Sequence, residues 1–218
     1  MAATVRNGGV AGDTAAQARA RLRWGLRGLG ATPDLVIVEL GANDMLRGLP
    51  VSQTQANLDA ILTELRNRRI PVLLAGMRAA PNLGLEYGRA FDGIYPALAK
   101  KYGVAGYPFF LDGVAGNRAL LQADGMHPNA RGVDIIVGRI LPEVRKALRG
   151  SAARAGWLDP ISRAPSFGFA CRRDGRPESR GKSVPLLAST MPDMASSAAR
   201  AAKVEGDRSR HGPASVVA

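Results

Sequence analysis

Only one cysteine, Cys171, occurs in the 218 residues, so no intramolecular disulfide framework and no multi-cysteine metal site can be built. Stability must come from packing. Lysine is nearly as scarce, at 5 against 25 arginines. No apolar run approaches the roughly 18 residues that a membrane-spanning helix needs. Met1 to Gly12 holds one arginine and no apolar stretch of the kind an export signal carries. Stable membrane insertion is therefore not expected, and localisation stays open.

The charge balance is the first positive feature: 30 Lys plus Arg against 18 Asp plus Glu, a net charge of +12. Such an excess invites a nucleic-acid or anionic-surface reading. Its distribution argues otherwise. Residues 1–150 hold 19 basic and 12 acidic residues, and residues 151–218 hold 11 and 6, so the excess is diluted along the whole chain. No concentrated basic arm exists, and no nucleic-acid partner is expected.

Composition changes at about Gly150. From Ser151 to Ala218, Ala, Ser, Gly and Pro make up 35 of 68 residues, and the large apolar residues follow neither a helical nor a strand period. A segment of this kind buries too little apolar surface to offset its ordering entropy. It reads as a low-complexity, disordered tail over 150–218, with a short helix at Ala195–Lys203.

Residues 1–149 are regular. Leu35 to Leu40 and Pro71 to Gly76 are short continuous apolar runs, the form taken by strands buried on both faces of a parallel sheet. Tyr107 to Leu111 is a third run and Ala3 to Arg6 a weaker one. Between them, Ser52 with Gln55 forms a capping-box pattern, and Leu58, Ile61, Leu62 and Leu65 fall on one helical face. Phe91, Ile94, Tyr95 and Leu98 repeat that spacing. A helix capped by Asp13 or Thr14 runs to about Gly28, and a last one starts near Asn129 and buries Ile135, Ile136, Ile140, Val144 and Leu148. Alternating strands and helices imply a parallel three-layer α/β architecture with its site at the carboxyl ends of the strands.

Three clusters sit at such ends. Gly41-Ala42-Asn43-Asp44 follows a buried strand; the Asn43 amide can donate to a developing oxyanion there, and the same residues also make an ordinary turn. Asp124-Gly125-Met126-His127-Pro128-Asn129 precedes the last helix. An imidazole with an unperturbed pKa of about 6.5 exchanges protons near neutrality if a carboxylate fixes its tautomer, and Asp124 stands three residues from His127. That histidine reads equally as an exposed loop residue, with Asn129 capping the helix. Asn7 to Thr14 is a Gly-rich loop at a helix N-terminus, where backbone N–H groups favour negative charge and the Gly12 N–H can join an oxyanion site.

In this order, the three clusters make residues 1 to about 149 resemble the SGNH, or GDSL-type, hydrolase family, in its bacterial arylesterase, thioesterase and lysophospholipase branch. The resemblance includes Gly12-Asp13-Thr14, Val38 to Gly48, Phe91 to Ala99, Pro108-Phe109-Phe110 and Asp124 to Asn129. It implies a flavodoxin-like three-layer fold, Gly12 and Asn43 as oxyanion donors, and Asp124 and His127 as triad members. It implies no metal or organic cofactor, and small acyl or aryl esters as substrates. Members of that branch are often periplasmic or secreted.

The family's Gly-Asp-Ser-Leu block, which carries the nucleophilic serine after the first strand, is not in this sequence. Only eleven residues precede Gly12, so a domain shortened at its N-terminus, without its first strand, is expected. Thr14 is a poor substitute, being β-branched and spaced like the second block. Ser52 is expected to be taken up by its cap. Loss of a central strand leaves two sheet edges open and predicts an aggregation-prone product. The expected function is ester or thioester hydrolysis of the family type with the nucleophile block absent; the alternative is a non-catalytic chain that binds a ligand or partner in the retained pocket.

Overall fold

The computed structural model describes residues 3–157, 183–188 and 214–216, with side chains over residues 4–150. Six parallel strands form one sheet among the described residues: β1 (Ala3–Asn7), β2 (Val36–Glu39), β3 (Val72–Ala75), β4 (Ala105–Tyr107), β5 (Ser183–Ala188) and β6 (Ala214–Val216), in the order β4-β3-β2-β5-β1-β6. Helices α1 (Ala15–Arg27), α2 (Ala42–Leu46), α3 (Val51–Asn67), α4 (Leu85–Tyr102) and α5 (Ala130–Trp157) connect or flank them. The chain thus has the α/β parallel-sheet fold expected of it.

Every residue of β2 and β3 is buried. Since neighbouring side chains in a strand point to opposite faces, helices must cover both sides, which makes three layers. On α3, Leu58, Ile61, Leu62 and Leu65 are at most 1% exposed; on α4, Phe91, Ile94, Tyr95 and Leu98 form the same stripe. Fully burying such a side chain contributes roughly 1.5–3 kcal/mol, so these stripes outweigh the weak intrinsic preferences of their helices. Helix α5 packs on β3 and β4, with Val133, Ile136, Val137, Ile140, Val144 and Leu148 buried and Ile135 only partly so.

Several expectations need correction. The run Tyr107–Leu111 is not a strand: β4 ends at Tyr107, where Pro108 turns the chain so that the Gly76 N–H donates to the Tyr107 carbonyl at 2.7 Å and the Phe110 N–H to the Gly76 carbonyl at 2.8 Å. Ser52 caps nothing. The N-cap of α3 is Pro50, whose carbonyl accepts from the Gln53 and Thr54 N–H groups at 2.9 and 3.3 Å, and Ser52 lies exposed in the first turn. At α1 the choice between two caps falls to Thr14, which forms a capping box with Gln17, while Asp13 pairs with Arg21 at 2.5 Å.

The segment read as a tail contributes more than expected. Helix α5 runs past 150 to Trp157, and β5 and β6 both come from beyond it. The place between β1 and β2 is filled by β5, which pairs Thr4 with Ser183 through Asn7 with Leu186 on one side, and Ile37 with Leu186 through Glu39 with Ala188 on the other. The two edges expected to be open are therefore paired. The helix expected over Ala195–Lys203 lies outside the described residues.

Candidate active site

The loops after β1 and β2 are built around one buried carboxylate. Asp44, fully buried on α2, accepts the Ala15 N–H at the start of α1 at 2.8 Å and the Thr54 hydroxyl at 3.3 Å. An anion at a helix N-terminus answers unpaired N–H groups and the helix dipole together, so this contact ties α2 to the Gly12 loop. Two further bonds tighten it. The Asn43 amide donates to the Asp13 carbonyl at 3.0 Å, and Arg47 donates to the Gly12 carbonyl at 2.6 Å. Gly12 has φ +84°, a backbone that side chains other than glycine rarely adopt, and this turns the loop back toward α2.

Sequence reading missed this frame. Asp44, Arg47 and Thr54 carry ordinary surface signatures, and only the apolar neighbours of Asp44 hint that its carboxylate is inside. Tyr95 was assigned to the core by its spacing, but its hydroxyl also donates to the Leu40 carbonyl at 2.8 Å, directly before the Gly41 turn. Burial, reinforced by the nearby Glu39 and Asp44, pushes the Tyr95 phenol well above its ordinary value, so it remains a neutral donor.

The second half of the site is the loop between β4 and α5. Asp124 Oδ1 accepts the Met126 and His127 N–H groups at 2.9 and 3.0 Å, Gly125 adopts φ +71°, and the Gln122 N–H closes on the His127 carbonyl at 2.7 Å. Folded this way, the loop sets Asp124 Oδ2 at 2.6 Å from His127 Nδ1. A three-residue spacing suffices because the carboxylate caps its own turn with one oxygen and meets the ring with the other. The carboxylate fixes the proton on Nδ1 and leaves Nε2 as the basic nitrogen. Asn129 does cap α5, its Oδ1 accepting the Gly132 N–H at 3.1 Å, and the His127 side chain is 39% exposed.

The His127 ring, followed by the two backbone N–H bonds, holds the Asp124 carboxyl down at about 2. The stability this lends the loop is present above the ordinary carboxylate value and is lost as pH falls toward 2. Carbon-13 titration of the Asp124 carboxyl is expected to give a midpoint near 2 in the wild type, and one shifted up toward 3.8 in His127→Ala, which removes the largest cause. A wild-type midpoint at 3.8 would contradict the pairing.

An apolar cavity of about 480 Å³ lies at the carboxyl edge of the sheet, lined from α2 by Ala42, Met45 and Leu46, from the loop after β3 by Met77 to Pro81, and from the loop before α5 by Gly125 to His127; Gly12, Asn43 and Asp124 are not among its described lining residues. No serine or threonine of the described residues appears in that lining. Thr14 is excluded by its own contacts, its hydroxyl being 3.1 Å from Gln17 Oε1 and 3.3 Å from the Gln17 N–H in the capping box. Among the described residues, no group of three or more His, Cys, Asp or Glu side chains is placed to hold a metal, and no helix is long and apolar enough to cross a membrane.

Comparison with known proteins gives a consistent result. The GDSL-like Lipase/Acylhydrolase family matches residues 1–135. An esterase, TesA of Pseudomonas aeruginosa, is 38% identical over 144 residues, covering 66% of this chain and 71% of that protein. The thioesterase 1/protease 1/lysophospholipase L1 of Escherichia coli K12 is 40% identical over 126 residues, 58% of this chain and 60% of that protein. The crystal structure of AlinE4, an SGNH-hydrolase family esterase, is 51% identical with a TM-score of 0.51, over 63% of this chain and 72% of that one.

Proposed function

We propose that this chain, which belongs to the GDSL-like lipase/acylhydrolase family of ester hydrolases, carries the acid–base and oxyanion parts of a site for acyl or aryl esters and thioesters, while the family's nucleophile block is absent from it. The observation that supports this most directly is the Asp124–His127 pair, whose histidine stands on the wall of an apolar cavity. In this reading His127 Nε2 takes a proton from the attacking oxygen and returns it to the leaving group, and Asp124 orients the ring and stabilises its cationic form. The Gly12 N–H and the Asn43 amide, tied together through Asp13, receive the charge that develops on the carbonyl oxygen. No cofactor takes part.

One observation favours a second reading, a non-catalytic chain that binds acyl ligands: no hydroxyl of the described residues faces the cavity with His127. A fluorophosphonate probe, which reacts with an activated serine, tests the absence of a nucleophile on which both readings rest. The full chain is expected to stay unlabelled. Stoichiometric labelling lost in His127→Ala would show a working nucleophile within these residues and overturn the absence. Ser189, which follows β5 in the sequence and lies outside the described residues, would be the first serine to replace in locating it.

A further inference from the structure

Among the described residues, two that line the cavity are ionisable, His127 and Arg78, and no carboxylate lines it. Arg78 is exposed at its mouth, with the guanidinium carbon 5.0 Å from the centre of the Phe109 ring, and Phe109 lines the same cavity. The pair is held by the backbone beneath it. Gly76 and the turn at Pro108 exchange the two hydrogen bonds described above, and a Cβ on Gly76 would come within 2.5 Å of the Pro108 carbonyl, so the loops are clamped two residues from Arg78 and on both sides of Phe109. No ion pair of Arg78 occurs among the described residues; Asp92, which shares the neighbouring cleft with it, accepts the Ala79 N–H at Oδ1 at 2.8 Å.

A cation resting on an aromatic face keeps its N–H fork directed outward in the ring plane of the guanidinium, where it can take an oxyanion in two parallel bonds. Burying it in the apolar cavity itself would be costly, but at the mouth it remains solvated until a ligand arrives. The apolar walls, with Met45, Met77 and Met126, suit a flexible alkyl chain. We infer that Arg78 is a specificity-determining residue: it selects amphipathic acyl compounds that bear an anionic group, a phosphate or carboxylate, beside the chain. This rests on the acyl-cavity reading above and names the substrate class within it.

Equilibrium binding to the full chain tests this without requiring turnover, using decyl phosphate, decanoate and decanol below their micellar concentrations. Wild type is expected to hold both anions about tenfold more tightly than decanol, the usual margin of a charge-assisted hydrogen-bonded pair at an exposed site. Arg78→Gln should abolish that margin and leave decanol within twofold; His127→Ala should preserve it, which separates Arg78 from the other ionisable group. Phe109→Leu should reduce it. Preference for decyl phosphate but not decanoate would assign the site to phosphate, and the reverse to carboxylate. Decanol binding with no anion preference, or a preference that survives Arg78→Gln, would overturn the role of Arg78 and leave the cavity reading intact. Failure of all three ligands to bind would overturn both.

Discussion

A chain ended after Trp157 is expected to lose cooperative unfolding altogether. The reason lies in the place of β5, which is hydrogen-bonded on both sides: four residues of β1 and three of β2 take their parallel partners from Ser183 to Ala188. Its removal leaves Thr4–Asn7 without a neighbour on that side and opens the edge of β2, where Ile37, Val38 and Glu39 are at most 5% exposed. A buried carboxylate and several backbone N–H and C=O groups would then face a groove rather than a strand, each lost pairing costing about 1–3 kcal/mol. A handful of such losses equals the ~5–15 kcal/mol that holds an ordinary domain folded. The exposed edge is also a template for another chain, so aggregation should accompany the loss. Denaturant melting of the shortened and full chains measures this directly. Partial recovery on adding a peptide that contains Ser183–Ala188 would show that the strand itself is responsible. An unchanged transition in the shortened chain would mean that β5 contributes nothing to the sheet.

That same strand marks the boundary of what could be read from sequence. β2 and β3 are legible because both their faces are buried, leaving Val36-Ile37-Val38 and Val72-Leu73-Leu74 as unbroken apolar runs. β5 reads Ser-Val-Pro-Leu-Leu-Ala. A proline in that run argues against an interior strand, since it removes a ladder donor, and the surrounding Ala, Ser and Gly give no period to set against it. Its neighbours in the sheet are about 150 and 180 residues away in the sequence, a relation that no local pattern encodes.

The candidate site divides in the same way. Asp124 and His127 are legible because the contact is local: three residues and a Gly125 turn bring a carboxylate to a ring. Gly12 and Asn43 could be placed at strand ends by the runs before them. What joins them could not be read, because Asp44, Arg47 and Thr54 act across distances of 10 to 35 residues, through atoms whose burial only the assembled fold decides. Ser52 shows the opposite failure. Its capping-box pattern is correct in type, yet Pro50 has already set the backbone for the start of the helix two residues earlier than the pattern requires.

Replacing Gly41 by alanine is expected to cost about 2–6 kcal/mol, and the cost should fall when Tyr95 is shortened at the same time. Gly41 has φ +107°, a conformation that charges a side chain with roughly 1–3 kcal/mol of backbone strain. It is also crowded. A Cβ there would stand 2.3 Å from the Tyr95 hydroxyl and 3.5 Å from Phe91 and Thr54, and overpacking of this kind adds roughly 1–3 kcal/mol. The Tyr95 oxygen cannot simply swing away, because it is buried and donates to the Leu40 carbonyl. Tyr95→Phe alone should cost about 1–3 kcal/mol by leaving that carbonyl unpaired. In the double variant the contact at 2.3 Å is gone, so the two costs should fall short of their sum by at least ~1 kcal/mol. Strict additivity would mean that the strain at Gly41, and not the tyrosine, sets its identity. The consequence for the site follows from the geometry of α2: Gly41 is its N-cap, so a backbone forced out of φ +107° carries Asn43 and Asp44 with it. The amide would leave the Asp13 carbonyl and the carboxylate would leave the start of α1, which separates the two loops on which the oxyanion reading depends.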